Sequence, residues 1–208
     1  MPFASQPLQT FLDQVASAEP APGGGSVAAL SGALGASLVA MVCRLTIGKK
    51  GYESVSAEMQ TILPHAEKLQ NELCDLMQAD TDAYARVMDA YKMPKTTDAD
   101  KTVRARAIQD GLEEASDIPL RVAELCAQVL ELARPIAARG NKNAASDGGV
   151  GALMAEAGLR GAAFNVTINL GAITDESFVR EHRARVERLV AAADLVTREI
   201  LGIVEGRL

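Results

Sequence analysis

The sequence predicts an all-α protein, a single-domain helical bundle with two central helices rich in small residues. Apolar residues recur at spacings of three and four along nearly the whole chain of 208 residues. No alternating strand pattern of convincing length occurs, since the β-branched run at 166–168 lies inside a helical pattern. No long linker and no repeat of fixed period divides the chain, so we expect one domain over residues 1–208.

The first half of the chain predicts three helices. Pro7 can open the first helix, which carries apolar residues at 8, 11, 12 and 15. The segment 23–26, Gly-Gly-Gly-Ser, then interrupts the chain and caps an apolar helix that starts near Val27. After a turn between Gly48 and Gly51, a long helical pattern covers about 54–90, with Pro64 a boundary or kink inside it.

The second half predicts four helices, which lie at about 98–114, 119–138, 150–170 and 176–205. The first of them follows a loop at 93–98 that ends in an N-cap. Pro119 would sit in the first turn of the next helix, and Pro135 can kink that helix near its end. A loop rich in Gly, Asn and Ser at 140–149 precedes the helix at 150–170.

The overall composition is that of a soluble folded domain, with 48% hydrophobic and 23% charged residues. A net charge of −6 and an aromatic content of 3% argue against a nucleic-acid partner. Cys43, Cys74 and Cys126 are odd in number and form no CxxC, so we expect no disulfide framework and a cytoplasmic location. His65 and His182 are far apart in sequence, so we expect no metal.

The uncharged run 20–43 raises the question of a membrane segment. Its apolar part, 27–43, has 17 residues, fewer than the ~20 that cross a bilayer, and consists largely of Ala, Gly and Ser. No basic segment precedes it, as a secretory signal would require. We therefore expect no membrane partner, and a helix buried on all sides inside a soluble bundle.

Small residues recur at helical spacing on two of the predicted helices. They are Ala28, Gly32 (or Ser31), Gly35, Ala36 and Ala40 on one helix, and Gly151, Ala155, Gly158 and Ala162 on the other. Such stripes let helix backbones approach closely. The two helices are therefore predicted to form the tight centre of the bundle or of a dimer.

Asp80 is the most informative single position. The apolar residues that flank it form an inward-facing seam, namely Leu69, Leu73, Leu76, Ala83 and Val87. Position 80 falls in the gap of this seam, where an apolar residue would be expected. A buried carboxylate must be paired, hydrogen-bonded or protonated. Asp80 is therefore either a satisfied structural residue that caps a neighbouring helix, or a general acid/base with a raised pKa.

Three further clusters each have a structural and a functional interpretation. The glycines before the apolar helix can bring backbone N–H groups close to an anion, although Gly-rich helix starts are common. Basic residues flank both small-residue helices, where they either bind an acidic ligand or are simply exposed to solvent. They are Arg44, Lys49, Lys50, Arg139 and Lys142. Asn165 and Asn169 share one helix face. Their side-chain amides are expected either to form hydrogen bonds to another helix or to recognise a heterocycle.

Taken together, these segments resemble the cyclodeaminase/cyclohydrolase family of one-carbon folate enzymes. The resemblance rests on PAPGGGSVAALSGALGASLVAMV, LTIGKKGY, DTDAY, NKNAASDGGVGAL and NVTIN, which occur in the family's order. It implies an all-α bundle that forms a homodimer. It also matches the family's acidic D-x-x-A-[FY] motif to residues 80–84 and its S-D motif to Ser146 and Asp147. The chain length, GKKGY and YKMPKTTDADK look more like the free-standing bacterial methenyltetrahydrofolate cyclohydrolases than the fused cyclodeaminases.

The resemblance implies hydrolysis of 5,10-methenyltetrahydrofolate to 10-formyltetrahydrofolate, with Asp80 taking the proton of the attacking water. One alternative is formiminotetrahydrofolate cyclodeaminase activity, which releases ammonia, and a second is a non-catalytic folate-binding protein. The folate is the substrate, and no separate cofactor is expected.

The same resemblance suggests a set of substrate-binding residues. We expect Lys49, Lys50 and Lys142 to attract the glutamate tail. The candidates for the donor and acceptor edge of the pterin are Asn143, Asp147, Asn165 and Asn169. The wall of the pocket would be lined by Gly23, Gly24, Gly25 and Ser26.

Overall fold

A computed structural model describes residues 2–208, and all regular secondary structure in this range is helical. The six α-helices are α1 (Leu8–Val15), α2 (Gly24–Thr46), α3 (Glu53–Lys92), α4 (Asp98–Arg139), α5 (Ala145–Leu170) and α6 (Glu176–Glu205). Short 3-10 turns lie at Phe3–Ser5 and Lys142–Ala144. The prediction of an all-α bundle is confirmed.

Helix α4 corrects the prediction of two separate helices at 98–114 and 119–138. It is one helix of 42 residues with Pro119 and Pro135 inside it. A proline inside a helix leaves the carbonyl four residues earlier without its N–H partner. For Pro119 that carbonyl belongs to Ala115, and the side-chain Nδ2 of Asn169 donates to it at 2.6 Å. The neighbouring helix thus supplies the missing hydrogen bond, and α4 continues.

Helices α2 and α5 both begin earlier than the sequence predicts, at Gly24 rather than Val27 and at Ala145 rather than Val150. Glycine is unfavourable inside a helix by about 1 kcal/mol, which is why the pattern suggested loops. Close packing against neighbours explains two of these helical glycines. A Cβ on Gly25 would overlap Asp80, and one on Gly149 would lie 3.2 Å from the side chain of Val204.

The antiparallel pair α2 and α5 forms the tight centre of the bundle, as the small-residue stripes predict. A Cβ on Gly35 would lie 2.8 Å from the carbonyl oxygen of Gly151. One on Gly158 would lie 2.7 Å from the carbonyl oxygen of Ala28. Helices α3 and α4 pack against this pair, and α6 packs against α4 and α5.

The prediction that α2 is buried on all sides is wrong. The helix is long and apolar enough to cross a membrane, and 61% of its most apolar stretch is buried inside the bundle. Its uncovered face carries Val27, Leu34, Met41 and Leu45, which are between 37% and 46% exposed. The neighbouring helices cover the other faces of α2 and leave this apolar stripe without a partner among residues 2–208. That the protein has no membrane partner stays a prediction.

The three cysteines are free thiols. Burial raises the pKa of Cys43 to about 11 and that of Cys126 to about 12. Both residues are therefore neutral packing groups in the core.

Candidate active site

Asp80 of α3 lies against the first turn of α2. Four of the five predicted seam residues are buried, namely Leu69, Leu73, Ala83 and Val87. The fifth inward position belongs to Met77 rather than to Leu76, which is half-buried. Asp80 is half-buried at the edge of this seam and not at its centre. One side of its carboxyl group meets protein and the other side meets a cavity.

The carboxyl group of Asp80 occupies the place where a side chain at position 25 would be. A Cβ built on Gly25 would lie 2.0 Å from Oδ1 of Asp80. Real Cβ atoms never approach an oxygen so closely, so the position admits only glycine. The glycine-rich start of α2 is therefore explained by the approach of this carboxyl group to the helix backbone.

The hydroxyl group of Ser26 is buried and has more acceptors around it than it has protons. It donates to the carbonyl oxygen of Met77 at 2.8 Å and lies 3.3 Å from Oδ2 of Asp80. The hydroxyl of Thr81 is 3.4 Å away. Ser26 has one proton and cannot satisfy Met77 and Asp80 fully at the same time. A proton on Asp80, donated to the oxygen of Ser26, would remove this conflict.

Burial raises the pKa of Asp80 above the ordinary value for an aspartate, and hydrogen bonds from the side chain and backbone of Ser26 oppose part of that rise. Desolvation penalises the charged form of a carboxyl group, whereas donors at a helix N-terminus favour it. The balance brings the pKa closer to neutrality, as a group that both accepts and returns a proton requires.

The cavity beside Asp80 has a volume of about 320 Å³. It is bounded by the segment before α2 with its glycines, and by faces of α3, α4 and α5. The residues from the predicted set that line it are Gly23, Gly24, Gly25, Asp80, Asn165 and Asn169. Ser26 lies directly behind the wall, through its contact with Asp80. The volume is within the range of small-molecule sites.

Asn165 and Asn169 both line this cavity, and each uses its side-chain amino group in a hydrogen bond within the bundle. Nδ2 of Asn165 donates to the carbonyl oxygen of Gly161 at 2.8 Å, and Nδ2 of Asn169 donates to that of Ala115. Their Oδ1 atoms have no hydrogen-bond partner among residues 2–208. The helix–helix interpretation therefore holds for the amino group of Asn169, while the oxygens of both remain available to a ligand with N–H donors.

Tyr84 and Tyr91 line the same cavity; Tyr84 is the aromatic residue of the D-x-x-A-[FY] motif, whereas Tyr91 was not singled out in the sequence. They are 38% and 45% exposed to solvent, which is a large exposed fraction for aromatic side chains beside a buried helix face. Residues 80, 84, 87, 88 and 91 follow the spacing of one helix face. Extending that face from Asp80 through Tyr84 would have identified Tyr91.

The other predicted binding residues lie at the opposite end of the bundle. Lys49, Lys50, Lys142, Asn143 and Asp147 surround the C-terminus of α2 and the N-terminus of α5. Helix α2 separates the two groups by about 33 Å, at 1.5 Å per residue. The predicted set therefore does not form one site within one chain.

At that far end the contacts hold the chain together. Nζ of Lys49 donates to Oδ1 of Asn141 at 2.7 Å and lies over the ring of Tyr52. The backbone N–H of Lys142 donates to the Tyr52 hydroxyl, and the backbone N–H of Asn143 donates to Oδ1 of Asn141. Asn141, buried and absent from the predicted set, connects the turn after α2 to the start of α5.

A larger depression, of about 820 Å³, lies between α3, α4 and α6. Its charged side chains neutralise one another, with Arg121 2.8 Å from Glu72 and Arg185 2.5 Å from Glu124. Size alone would favour this depression, but its chemistry does not, and the smaller cavity at Asp80 is the better candidate.

Within residues 2–208, no three His, Cys, Asp or Glu side chains are placed to hold a metal ion. The cavity at Asp80 offers instead one carboxyl group with a raised pKa, two amide oxygens and two aromatic rings. These groups can hold and move a proton beside a flat ligand that carries N–H donors.

Comparison with known proteins identifies the family. The family model described as formiminotransferase-cyclodeaminase matches residues 7–188. The chain belongs to this family. Its relatives include a methenyltetrahydrofolate cyclohydrolase from Methylorubrum extorquens, 43% identical over 98% of both chains. A formimidoyltransferase-cyclodeaminase from Sus scrofa is 38% identical over 97% of this chain but only 37% of its own length.

The fold is also found in a solved structure. The crystal structure of formiminotetrahydrofolate cyclodeaminase from Thermotoga maritima matches with a TM-score of 0.87. The two chains are 33% identical, and the match covers 97% of each. The family resemblance expected from the sequence motifs is therefore confirmed over nearly the whole chain.

Proposed function

We propose that the protein hydrolyses 5,10-methenyltetrahydrofolate to 10-formyltetrahydrofolate, with Asp80 as its acid/base residue. The observation that carries this proposal is the half-buried carboxyl group of Asp80, seated on the N-terminus of α2 and facing a cavity. The similarity to a free-standing cyclohydrolase over 98% of both chains supports the choice of reaction.

The proposed mechanism uses one proton carrier. A water molecule attacks the amidinium carbon between N5 and N10, and the Asp80 carboxylate accepts one of its protons. Asp80 then returns that proton to N5 as the bond between N5 and the carbon breaks. The remaining hydroxyl proton leaves to solvent, and the formyl group stays on N10. The negative charge of Asp80 also stabilises the cationic substrate before attack.

Cyclodeaminase activity is the second candidate, and it is favoured by the match to the formiminotetrahydrofolate cyclodeaminase structure. In this reaction N10 attacks the formimino carbon and ammonia leaves with an added proton. A protonated Asp80, which the raised pKa favours, would supply it. A non-catalytic folate-binding protein is the third candidate, although such a protein would have no need of a partly desolvated carboxyl group.

The remaining properties belong to the same proposal. Asn165 and Asn169 would accept hydrogen bonds from the pterin, and Gly23, Gly24, Gly25 and Ser26 would form the wall of the site. The folate substrate is the only small molecule that we propose, and the reaction would use neither a metal nor a separate cofactor. The protein would be a cytoplasmic homodimer without nucleic-acid or membrane partners. The free cysteines support the cytoplasmic location, and the net charge of −6 supports the absence of a nucleic-acid partner. The uncovered apolar face of α2 supports the dimer.

The test follows the absorbance of methenyltetrahydrofolate with and without the protein, and a parallel assay measures ammonia from 5-formiminotetrahydrofolate. Acceleration of the first reaction supports the cyclohydrolase, and ammonia release alone supports the cyclodeaminase. Turnover of neither substrate would overturn both enzymatic proposals and leave a folate-binding protein.

The role of Asp80 is tested with Asp80→Asn, which keeps the shape of the side chain but cannot carry the proton. We expect turnover to fall by roughly 10²- to 10⁴-fold, the usual contribution of a general acid/base, with an unchanged circular dichroism spectrum. Turnover at the wild-type rate would remove Asp80 from the mechanism.

A further inference from the structure

The cavity at Asp80 is lined by no Lys, Arg or His among the described residues. A folate nevertheless carries carboxylate groups on its glutamate, at the end remote from the pterin. Carboxylates are bound most strongly by charge-assisted hydrogen bonds, above all from arginine. A basic residue is therefore expected beyond the lining of the cavity, on the side away from the α2 glycines.

Arg104 of α4 lies at this position, next to Tyr91, which lines the cavity. Its Nε and Nη2 atoms donate to the carbonyl oxygen of Tyr91 at 3.3 and 3.0 Å. Its guanidinium carbon lies 5.7 Å from the centroid of the Tyr91 ring. The side chain is half-buried, so its orientation is fixed by these contacts.

Arg104 is a fixed cation without an anion, which sets it apart from its neighbours. Arg86 pairs with Glu114 at 2.8 Å, and Lys92 pairs with Asp89 at 2.9 Å. No carboxylate of the described residues lies within 4.0 Å of Arg104, and its Nη1 has no hydrogen-bond partner among them. Its only acceptor is a neutral carbonyl oxygen, so it retains both charge and donors for a ligand.

The distance along α3 suits a long ligand. Asp80 and Tyr91 are separated by about 16 Å of helix, at 1.5 Å per residue. Tyr84 and Met88 line the cavity between them. A molecule with its reacting carbon at Asp80 and an aromatic ring further along this face would bring a terminal carboxylate to the tyrosine and arginine pair.

We propose that Arg104 binds a carboxylate of the glutamate of the folate substrate, with the ring of Tyr91 beside the p-aminobenzoyl group. This inference rests on the proposed function, since it takes a folate as the ligand. It assigns to Arg104 the role that the sequence suggested for Lys49, Lys50 and Lys142, which lie at the other end of α2 in the same chain.

The first test is kinetic and compares Arg104→Met with Arg106→Met. Arg106 is its matched control, because it is exposed two residues away on the same helix, near Asp110. We expect Arg104→Met to raise KM for the monoglutamate substrate at least about tenfold with kcat nearly unchanged, and Arg106→Met to leave both unchanged. Equal KM values for wild type and Arg104→Met would overturn the proposal.

Arg104→Lys separates charge from packing, because it keeps the cation but loses the planar group above Tyr91. We expect it to recover most of the KM defect. If Arg104→Lys were as defective as Arg104→Met, the effect would come from packing on Tyr91 and the proposal would be wrong. Thermal unfolding of each variant establishes that it is folded.

The second test does not depend on turnover. Calorimetric titration of wild type with p-aminobenzoylglutamate and with p-aminobenzoate measures the contribution of the glutamate directly. We expect the glutamate conjugate to bind more tightly to wild type, and the advantage to disappear in Arg104→Met. Such a result with no folate turnover would sink the proposed reaction and keep the carboxylate site. Folate turnover without tighter binding of the glutamate conjugate would overturn the carboxylate site and keep the proposed reaction.

Discussion

At the scale of single residues, the structure pairs each unusual side chain with the backbone feature that accommodates it. Gly25 is a glycine because the carboxyl group of Asp80 occupies the place of its side chain. Asn169 lies on an apolar helix because Pro119 leaves the carbonyl oxygen of Ala115 without a donor. Residues on different helices thus explain one another.

The raised pKa of Asp80 predicts how stability depends on pH. In the unfolded chain the pKa of the aspartate is about 3.9, and burial raises the pKa of Asp80 in the folded protein. Between these two pKa values the folded state holds more protons, so the free energy of unfolding of the wild type falls as pH rises through the window. Each unit of elevation corresponds to about 1.4 kcal/mol.

The corresponding variant is Asp80→Asn, which has no proton to lose. We expect its stability relative to wild type to increase from about pH 4 upwards and to level off above the folded pKa. Denaturant unfolding of both proteins between pH 4 and 8 measures this difference. A difference that stays constant over this range would show that Asp80 is not desolvated in the folded protein.

At the scale of helices, the bundle depends on the close approach of α2 and α5. Their glycines and alanines allow backbone atoms of one helix to contact those of the other. This contact also sets the active-site geometry, because α2 presents its N-terminus to Asp80 while α5 presents Asn165 and Asn169 to the same cavity. Separation of the two helices would therefore disturb both stability and the site.

Two glycine substitutions test the contribution of close packing. In Gly158→Ala the new Cβ would lie 2.7 Å from the carbonyl oxygen of Ala28, and we expect a loss of about 1–3 kcal/mol of stability. Gly202→Ala on α6 is the matched control, since a Cβ there meets nothing within 4 Å. Alanine is the better helix former, so this control should gain about 0.5–1 kcal/mol. Chemical denaturation measures both, and equal effects would contradict the role given to the α2–α5 contact.

At the scale of the whole molecule, α2 and α5, which pack against each other, both expose apolar side chains. They include Leu34 and Met41 on α2 and Val150 and Leu153 on α5, each at least 40% exposed. Large apolar side chains exposed together on neighbouring helices are typical of an interface. It supports the proposed homodimer, in which a second copy would cover the stripe that no helix of the same chain covers.

The dimer is tested with Leu34→Asp, which places a charge among these exposed apolar side chains. We expect the wild type to have twice the mass of one chain in light scattering, and the variant to have the mass of one. Leu195→Asp is the control, because Leu195 is 67% exposed on α6 and should not alter the mass. A monomeric wild type would refute the dimer.

The sequence by itself determined the helical fold, the central pair of small-residue helices and the importance of position 80. Each of these follows from local periodicity, since a carboxylate in an apolar seam or a glycine stripe is visible without coordinates. The motifs at residues 20–42 and 80–84 also carried the family resemblance.

Only the tertiary structure decided which of the marked residues meet. The sequence placed the lysines near 49 and 142 beside the glycines at 23–25, but α2 holds them about 33 Å apart. It divided α4 at Pro119, because the donor that repairs the helix comes from Asn169, 50 positions further along the chain. It also missed Tyr91 of the cavity and the unpaired charge of Arg104. Periodicity describes one helix at a time, whereas cavities, hydrogen-bond partners and neutralising charges depend on how helices pack together.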